Sequence, residues 1–176
     1  MKYFKKIVGE KVYLSPINAE ADAETYTKWV NSKETTRYLP LYSRVYTLAK
    51  ERETLNRISE GHMYAIVRMS DDALLGNVGF HDIDNLARHA VVGIFIGESS
   101  EWGKGYGTEA MKLLVDFGFN TLNLRNIMLT HVADNERAHK SYVKAGFKEF
   151  GRRTGCIYRD GKYLDQVYME ILNPRG

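Results

Sequence analysis

The chain has one cysteine among its 176 residues. Cys156 alone excludes an intrachain disulfide and fits a reducing compartment, so a cytoplasmic protein is expected. One cysteine also builds no cysteine zinc site. The five histidines show no ligand spacing of the His-Glu-x-x-His kind, so no metal is expected. No apolar run approaches a membrane span. The opening stretch from Met1 to Glu10 carries lysines but no apolar core of a secretory leader. The net charge of +3 is too small a bias to argue for nucleic acid. Neither an RNA-reading aromatic motif nor a helical basic stripe accompanies it.

What is present is ordinary globular composition, 44% hydrophobic and 27% charged. The length favours a single domain over 1–176 with a core of useful size. No repeats, linkers or low-complexity segments divide it.

Val12-Tyr13-Leu14 before Ser15-Pro16 reads as a strand, and Ala19 to Val30 as a helix capped by Asn18. Lys33 to Tyr46 lacks periodicity, holds Pro40 and reads as a loop. Thr47 to Glu60 reads as a helix with Leu48, Leu55 and Ile58 on one face and Gly61 closing it. Strands follow over Met63 to Met69, Leu74 to Ile83 and Ala90 to Ile96. Gly105 to Asn120 is helical, with Met111, Leu114, Val115, Gly118 and Phe119 inward. Asn126 to Val132 is a strand, Asn135 to Ala145 a short helix ended by Gly146, and Asp160-Gly161 a hairpin turn before a last strand near Gln166 to Ile171. The expected fold class is mixed α/β.

The most informative segment is Glu101-Trp102-Gly103-Lys104-Gly105-Tyr106-Gly107-Thr108-Glu109-Ala110. Three alternate glycines lie between a strand and a helix start. Such a junction aims several backbone N–H groups and the positive end of a helix dipole at one point, which suits a phosphate. Gly105-Tyr106-Gly107-Thr108-Glu109-Ala110 formally matches a dinucleotide fingerprint, with Asp134 after the next strand. That fingerprint should begin at the strand end, yet Gly97 to Lys104 intervenes, and too little chain follows Asp134 for a doubly wound sheet. A P-loop needs Ser or Thr directly after its lysine, and Lys104 is followed by Gly105.

A second motif, Asn135 to Phe147, follows the next strand. Together the two segments resemble the GNAT superfamily of acetyl-CoA-dependent N-acetyltransferases. The family's pyrophosphate loop, Gln/Arg-x-x-Gly-x-Gly/Ala, falls on Trp102 to Gly107. Its second signature, Asn-x-x-Ala-x-x-x-Tyr-x-Lys-x-Gly-Phe, fits Asn135 to Phe147 at every position. The resemblance spans nearly the whole chain and is nearest the branch of ribosomal-protein N-terminal and spermidine acetyltransferases. Trp102 departs from the commoner Gln or Arg.

The resemblance implies the GNAT fold, a mixed and mostly antiparallel central sheet flanked by helices, with acetyl-CoA as co-substrate. It places the coenzyme pyrophosphate on the amides of Gly103, Lys104, Gly105, Tyr106, Gly107 and Thr108, beside Trp102, with the Lys104 ammonium either adding charge or solvated. The strand edge at Gly93, Ile94, Phe95 and Ile96 would bind the pantetheine amides, and an amide near Phe95 or Ile96 the oxyanion. Asn135 would bind the pantetheine arm, cap its helix, or both.

Tyr142 is the expected general acid toward the leaving thiolate. Glu98 is the leading candidate base, directly or through water, with His81, His131 and Asp82 behind it. The acceptor is expected to be a primary amine attacking directly in a ternary complex. A peptide or protein N-terminus leads, and polyamines or other small amines follow. A non-catalytic acyl-CoA-binding module is the rival from another class. Lys33 to Tyr46 and Ile157 to Asp165 should wall the acceptor side, and a homo-oligomer is left open.

Overall fold

The computed structural model describes residues 2–176. One eight-stranded sheet organises them, in the order β1-β2-β3-β4-β5-β6-β8-β7. The strands are β1 (Ile7–Val8), β2 (Val12–Pro16), β3 (Met63–Arg68), β4 (Leu74–Asp84), β5 (His89–Ile96), β6 (Asn126–Val132), β7 (Lys148–Arg159) and β8 (Lys162–Leu172). The helices are α1 (Ala19–Val30), α2 (Lys33–Thr36), α3 (Leu48–Ser59), α4 (Tyr106–Asn120) and α5 (Glu136–Lys144), with a 3-10 turn at Ser99–Glu101. Neighbouring strands run antiparallel except β5 and β6.

Side-chain alternation along the strands feeds two cores. Val12 and Leu14 of β2, Tyr64 and Ile66 of β3, and Val92, Ile94 and Ile96 of β5 pack with α4 on one face. Tyr13, then Met63, Ala65 and Val67, and Phe95 pack with α1 and α3 on the other. On α4, Met111, Leu114, Val115 and Gly118 are buried as expected, and Phe119 packs at the margin. The two faces matter for function, because they separate what approaches β5 from each side.

The structure corrects the sequence reading at three places. Lys33 to Tyr46 is not all loop: α2 forms because Thr35 and Thr36 hydroxyls both donate to the Ser32 carbonyl, closing one turn without apolar periodicity. A two-residue strand, β1, pairs with β2 ahead of the expected first strand. The final hairpin is much longer than its turn suggested, and β7 carries two register shifts that break its alternation.

Candidate active site

β5 and β6 pair for only three residues, His89↔Asn126, Ala90↔Ile127 and Val91↔Met128. Beyond them each strand keeps its outer partner, β5 on β4 through Ile96 and β6 on β8 through Val132. The sheet therefore splits, and Val92–Ile96 presents an edge to the gap. A cavity of about 1760 Å³ occupies this region and is lined from the glycine loop through the split to the α2 loop and the β7–β8 hairpin.

At one end lies the loop before α4. Gly103 (φ 79°) and Gly105 (φ 91°) both adopt the left-handed region, which a side chain would strain. Among the described residues, no amide from Gly103 to Thr108 donates to a protein acceptor; the first helical bond is Glu109 N–H to Gly105 O at 3.0 Å. Six consecutive N–H groups at a helix start fit a diphosphate. Lys104 is drawn to Glu101 (2.9 Å). Sequence reasoning missed Lys11, whose Nζ donates to Lys104 O at 3.3 Å and stands over Gly105. Lys11 belongs to the β1–β2 turn, and Glu109 of α4 fixes that turn by accepting its backbone N–H at 2.8 Å. Only the fold brings this cation to the loop.

Trp102 spans the mouth of the split. Its indole N–H donates to Ile96 O at 2.9 Å, and the Arg137 guanidinium stacks 3.5 Å from its ring centroid. Ile94, Phe95 and Ile96 all line the cavity, with Phe95 turned to the opposite face from its two neighbours.

Asn135 caps α5: its Oδ1 accepts from Ala138 N–H at 3.2 Å. Tyr142 lies one face along, half-buried against His131 (ring centroids 5.7 Å) and Phe147 (6.3 Å). Its hydroxyl makes no protein hydrogen bond among the described residues, and burial pushes its pKa up to about 12, against a smaller opposing pull from Arg137. Thr108 and Ser141 hydroxyls, 2.7 Å apart, tie α4 to α5.

The candidate bases separate. Glu98 is not among the residues lining the cavity; its carboxylate accepts from Ser100 N–H (3.4 Å) and Oγ–H (2.9 Å) and caps the 3-10 turn. Asp82 is exposed, in a left-handed kink where β4 loses register. His81 lines the cavity but is exposed. His131 lines it and is buried, with both ring nitrogens engaged. Sequence reasoning passed over Glu51 of α3, a buried carboxylate in the same lining. Its signal in the sequence is no more than one acid in a charged helix. Among the described residues no group of His, Cys, Asp and Glu is arranged to hold a metal, and no helix is long and apolar enough to cross a membrane.

A split sheet with an open strand edge, a phosphate cradle at one end and a half-buried phenol beside it define an acyl-CoA-handling enzyme. The family model described as an acetyltransferase (GNAT) domain matches residues 11–148. The chain belongs to that family. It is 30% identical over 118 residues to the putative ribosomal N-acetyltransferase YdaF of Bacillus subtilis, covering 67% of this chain and 61% of that one. It is 34% identical over 101 residues to the spermidine N(1)-acetyltransferase of Escherichia coli K12, covering 57% and 54%. Among solved structures, the spermidine N-acetyltransferase from Vibrio cholerae in complex with CoA and spermine superposes with a TM-score of 0.79 at 24% identity, covering 93% of this chain and 96% of that one. The protein is an acetyl-CoA-dependent N-acetyltransferase, with the mixed, mostly antiparallel sheet expected of it.

Proposed function

We propose that the acceptor is the α-amine of a peptide or protein N-terminus, which attacks directly while both substrates share the cavity. The observation that carries this is the mixed charge of the acceptor mouth. Lys33, Arg37 and Arg137 stand there with Glu34, Asp134, Glu136 and Asp160. Arg37 pairs with Asp160 at 3.6 Å, and Tyr42 donates to the same carboxylate at 2.6 Å. Arg159 donates to the carbonyls of Arg37 and Leu39, joining the hairpin to the α2 loop. A polycation is best held by converging carboxylates alone, whereas the acids of this mouth are interleaved with three cations. The acids of α1 do not converge on the cavity: Asp22 is held by Tyr3 and Lys2, and Glu20 by Arg52.

Acetyl-CoA supplies an activated acyl carbon on a thiol leaving group. Its pyrophosphate fits the unpaired amides of 103–108, and its pantetheine arm fits the Val92–Ile96 edge. Asn135 uses Oδ1 for its cap and keeps Nδ2 free for that arm. Tyr142, held protonated by burial, donates toward the departing sulfur. Cys156 lines the cavity, but its contacts are Arg153 O and Gln166 Oε1 rather than a base, which favours direct attack over a cysteinyl intermediate. An α-amine with pKa near 8 is about one-tenth neutral at pH 7, whereas a lysine-type amine is well under one-thousandth neutral. An N-terminus therefore asks less of the enzyme.

Thiol release from acetyl-CoA with a panel of amines tests the reading. Short peptides with free N-termini should turn over, and the same peptides with blocked N-termini and an internal lysine should not. Spermidine turned over faster than every free peptide would overturn it.

A further inference from the structure

Glu51 is a buried acid that the steps above do not use. It is 4% exposed and faces the cavity from α3. It has neither a hydrogen-bond partner nor an ion pair among the described residues, and burial alone shifts its pKa, upward. Its carboxylate oxygens are not fully sealed within the protein, and the residue lines the cavity.

Its position follows from its neighbours. Glu51 of α3 shares the cavity lining with Tyr26 of α1, the helix packed on α3, and the Tyr26 hydroxyl donates to Gly76 O at 2.8 Å. Gly76 pairs with Ile96 at the end of β5. Tyr26 also packs against Phe95 (6.5 Å), the β5 side chain on this face. Glu51 thus stands on the α1–α3 face of the split, opposite the face that α4 covers. Other acids in the lining are already committed: Glu101 to Arg68 and Lys104, Glu109 to the Lys11 and Val12 amides, Glu136 to Lys140. Glu10 and Glu34 are exposed.

An unpaired carboxylate held away from bulk water is costly unless a cation joins it. The cation that must enter this cavity is the acceptor's ammonium. We propose that Glu51 receives the ammonium of the acceptor and takes its proton. This rests on the reading that the cavity hosts the amine beside the thioester.

The ammonium gives one proton to the Glu51 carboxylate and becomes a neutral amine. The nitrogen lone pair forms the C–N bond to the thioester carbon. The C–S bond breaks with its electron pair on sulfur, and the second nitrogen proton compensates the one that Tyr142 donates there. Products are the amide, the free thiol and protonated Glu51, which returns its proton to solvent. Burial lifts the carboxyl toward the neutral range where a base works best.

The test compares the wild-type protein with Glu51→Gln, which keeps the shape and removes the charge. Acetyl-CoA affinity by calorimetry should stay within about twofold, because the phosphate cradle is untouched. Affinity of a Gly-Gly peptide for the coenzyme A-bound protein should fall about tenfold. Its kcat/KM should fall by about 10² to 10³, the range of general-base removal. The deficit should be larger for a 6-aminohexanoyl peptide, whose lysine-like amine holds its proton harder. A loss under threefold on both peptides overturns the proposal. So does an equal loss on both accompanied by lost acetyl-CoA binding, the mark of a structural role. If Glu51→Gln does not fold, Glu51→Asp decides instead: it keeps the charge drawn back by one methylene and should lose activity with the same dependence on the amine. Should the wild-type protein acetylate spermidine and no peptide, the N-terminal reading fails while the same comparison on spermidine still decides Glu51.

Discussion

Nε2 of His131 lies 3.2 Å from Nδ1 of His139, and Nδ1 of His131 lies 2.8 Å from the Val132 carbonyl. The carbonyl only accepts, so His131 carries its proton on Nδ1. Its Nε2 is then an acceptor, and His139 must donate from Nδ1. The pair is fixed in one tautomeric direction, and neither nitrogen of His131 is free to take a proton from a substrate. This explains how a histidine lining the cavity is still a poor base.

The same arrangement predicts acid sensitivity. Burial chiefly holds the His131 pKa below its usual value of 6.5, with the Val132 carbonyl and Glu149 opposing and His139 and Arg152 reinforcing. In the unfolded chain the imidazole titrates near 6.5. Below that pH the unfolded state binds a proton that the native state refuses, so stability falls as pH drops toward the lowered native pKa. The slope from this group is at most about 1.4 kcal/mol per pH unit. Chemical denaturation between pH 7.5 and 5 should show the decline, and His131→Gln should flatten it. An unchanged slope in that variant would show that other groups carry the acid dependence.

Tyr142 predicts the opposite kind of pH behaviour. With its pKa pushed up to about 12, the phenol stays protonated across the working range, and kcat should show no loss from its ionisation below about pH 11. Tyr142→Phe should reduce kcat by about 10² while the acetyl-CoA KM changes little, since the ring packing on His131 and Phe147 is kept. A drop confined to KM would assign the hydroxyl to binding.

Much of this fold was readable wherever local chemistry decides it. Asn18 and Asn135 are the caps they were read as, and α4 buries the stripe its period implies. Of the motif residues, Trp102, Gly103, Gly105, Tyr106, Gly107, Thr108, Asn135 and Tyr142 line one cavity, while Lys104 turns to Glu101. Elements made by distant partners were not readable. β7 is an edge strand interrupted by Gly151 and Gly155 and shifted twice in register, so it has no period to find. Lys11 reaches the glycine loop only because Glu109 holds its turn. Glu51 sits among other charged residues in sequence, and the packing of α1 on α3 accompanies its burial. Glu98 follows the strand as a base would, yet a serine two residues on claims its carboxylate.

The glycine loop gives a prediction about coenzyme affinity alone. At Gly105 a side chain faces a φ of 91° and the Lys11 ammonium 3.5 Å away, so Gly105→Val should strain the loop by about 1 to 2 kcal/mol. At Gly107 an added Cβ meets Ile96 and Ile94 at 3.5 and 3.6 Å, ordinary contact that the fold can absorb. Both valines crowd the amides proposed to hold the diphosphate. Calorimetry should show acetyl-CoA affinity reduced at least tenfold in each, with Gly107→Val keeping a near wild-type melting temperature. Affinity surviving in both variants would place the diphosphate elsewhere.

Asn135 caps α5, and one pair of variants separates that cap from the ligand contact proposed for it. Its Oδ1 accepts from the Ala138 amide, and its Nδ2 is left over for a ligand carbonyl. Aspartate caps a helix about as well as asparagine but has no donor. Asn135→Asp should therefore keep the melting temperature while raising the acetyl-CoA KM several-fold. Asn135→Ala loses both functions and should cost about 1 kcal/mol of stability in addition. Equal KM values for wild type and Asn135→Asp would leave the cap as the residue's whole role. In that case the open edge of β5 would hold the pantetheine arm without help from α5.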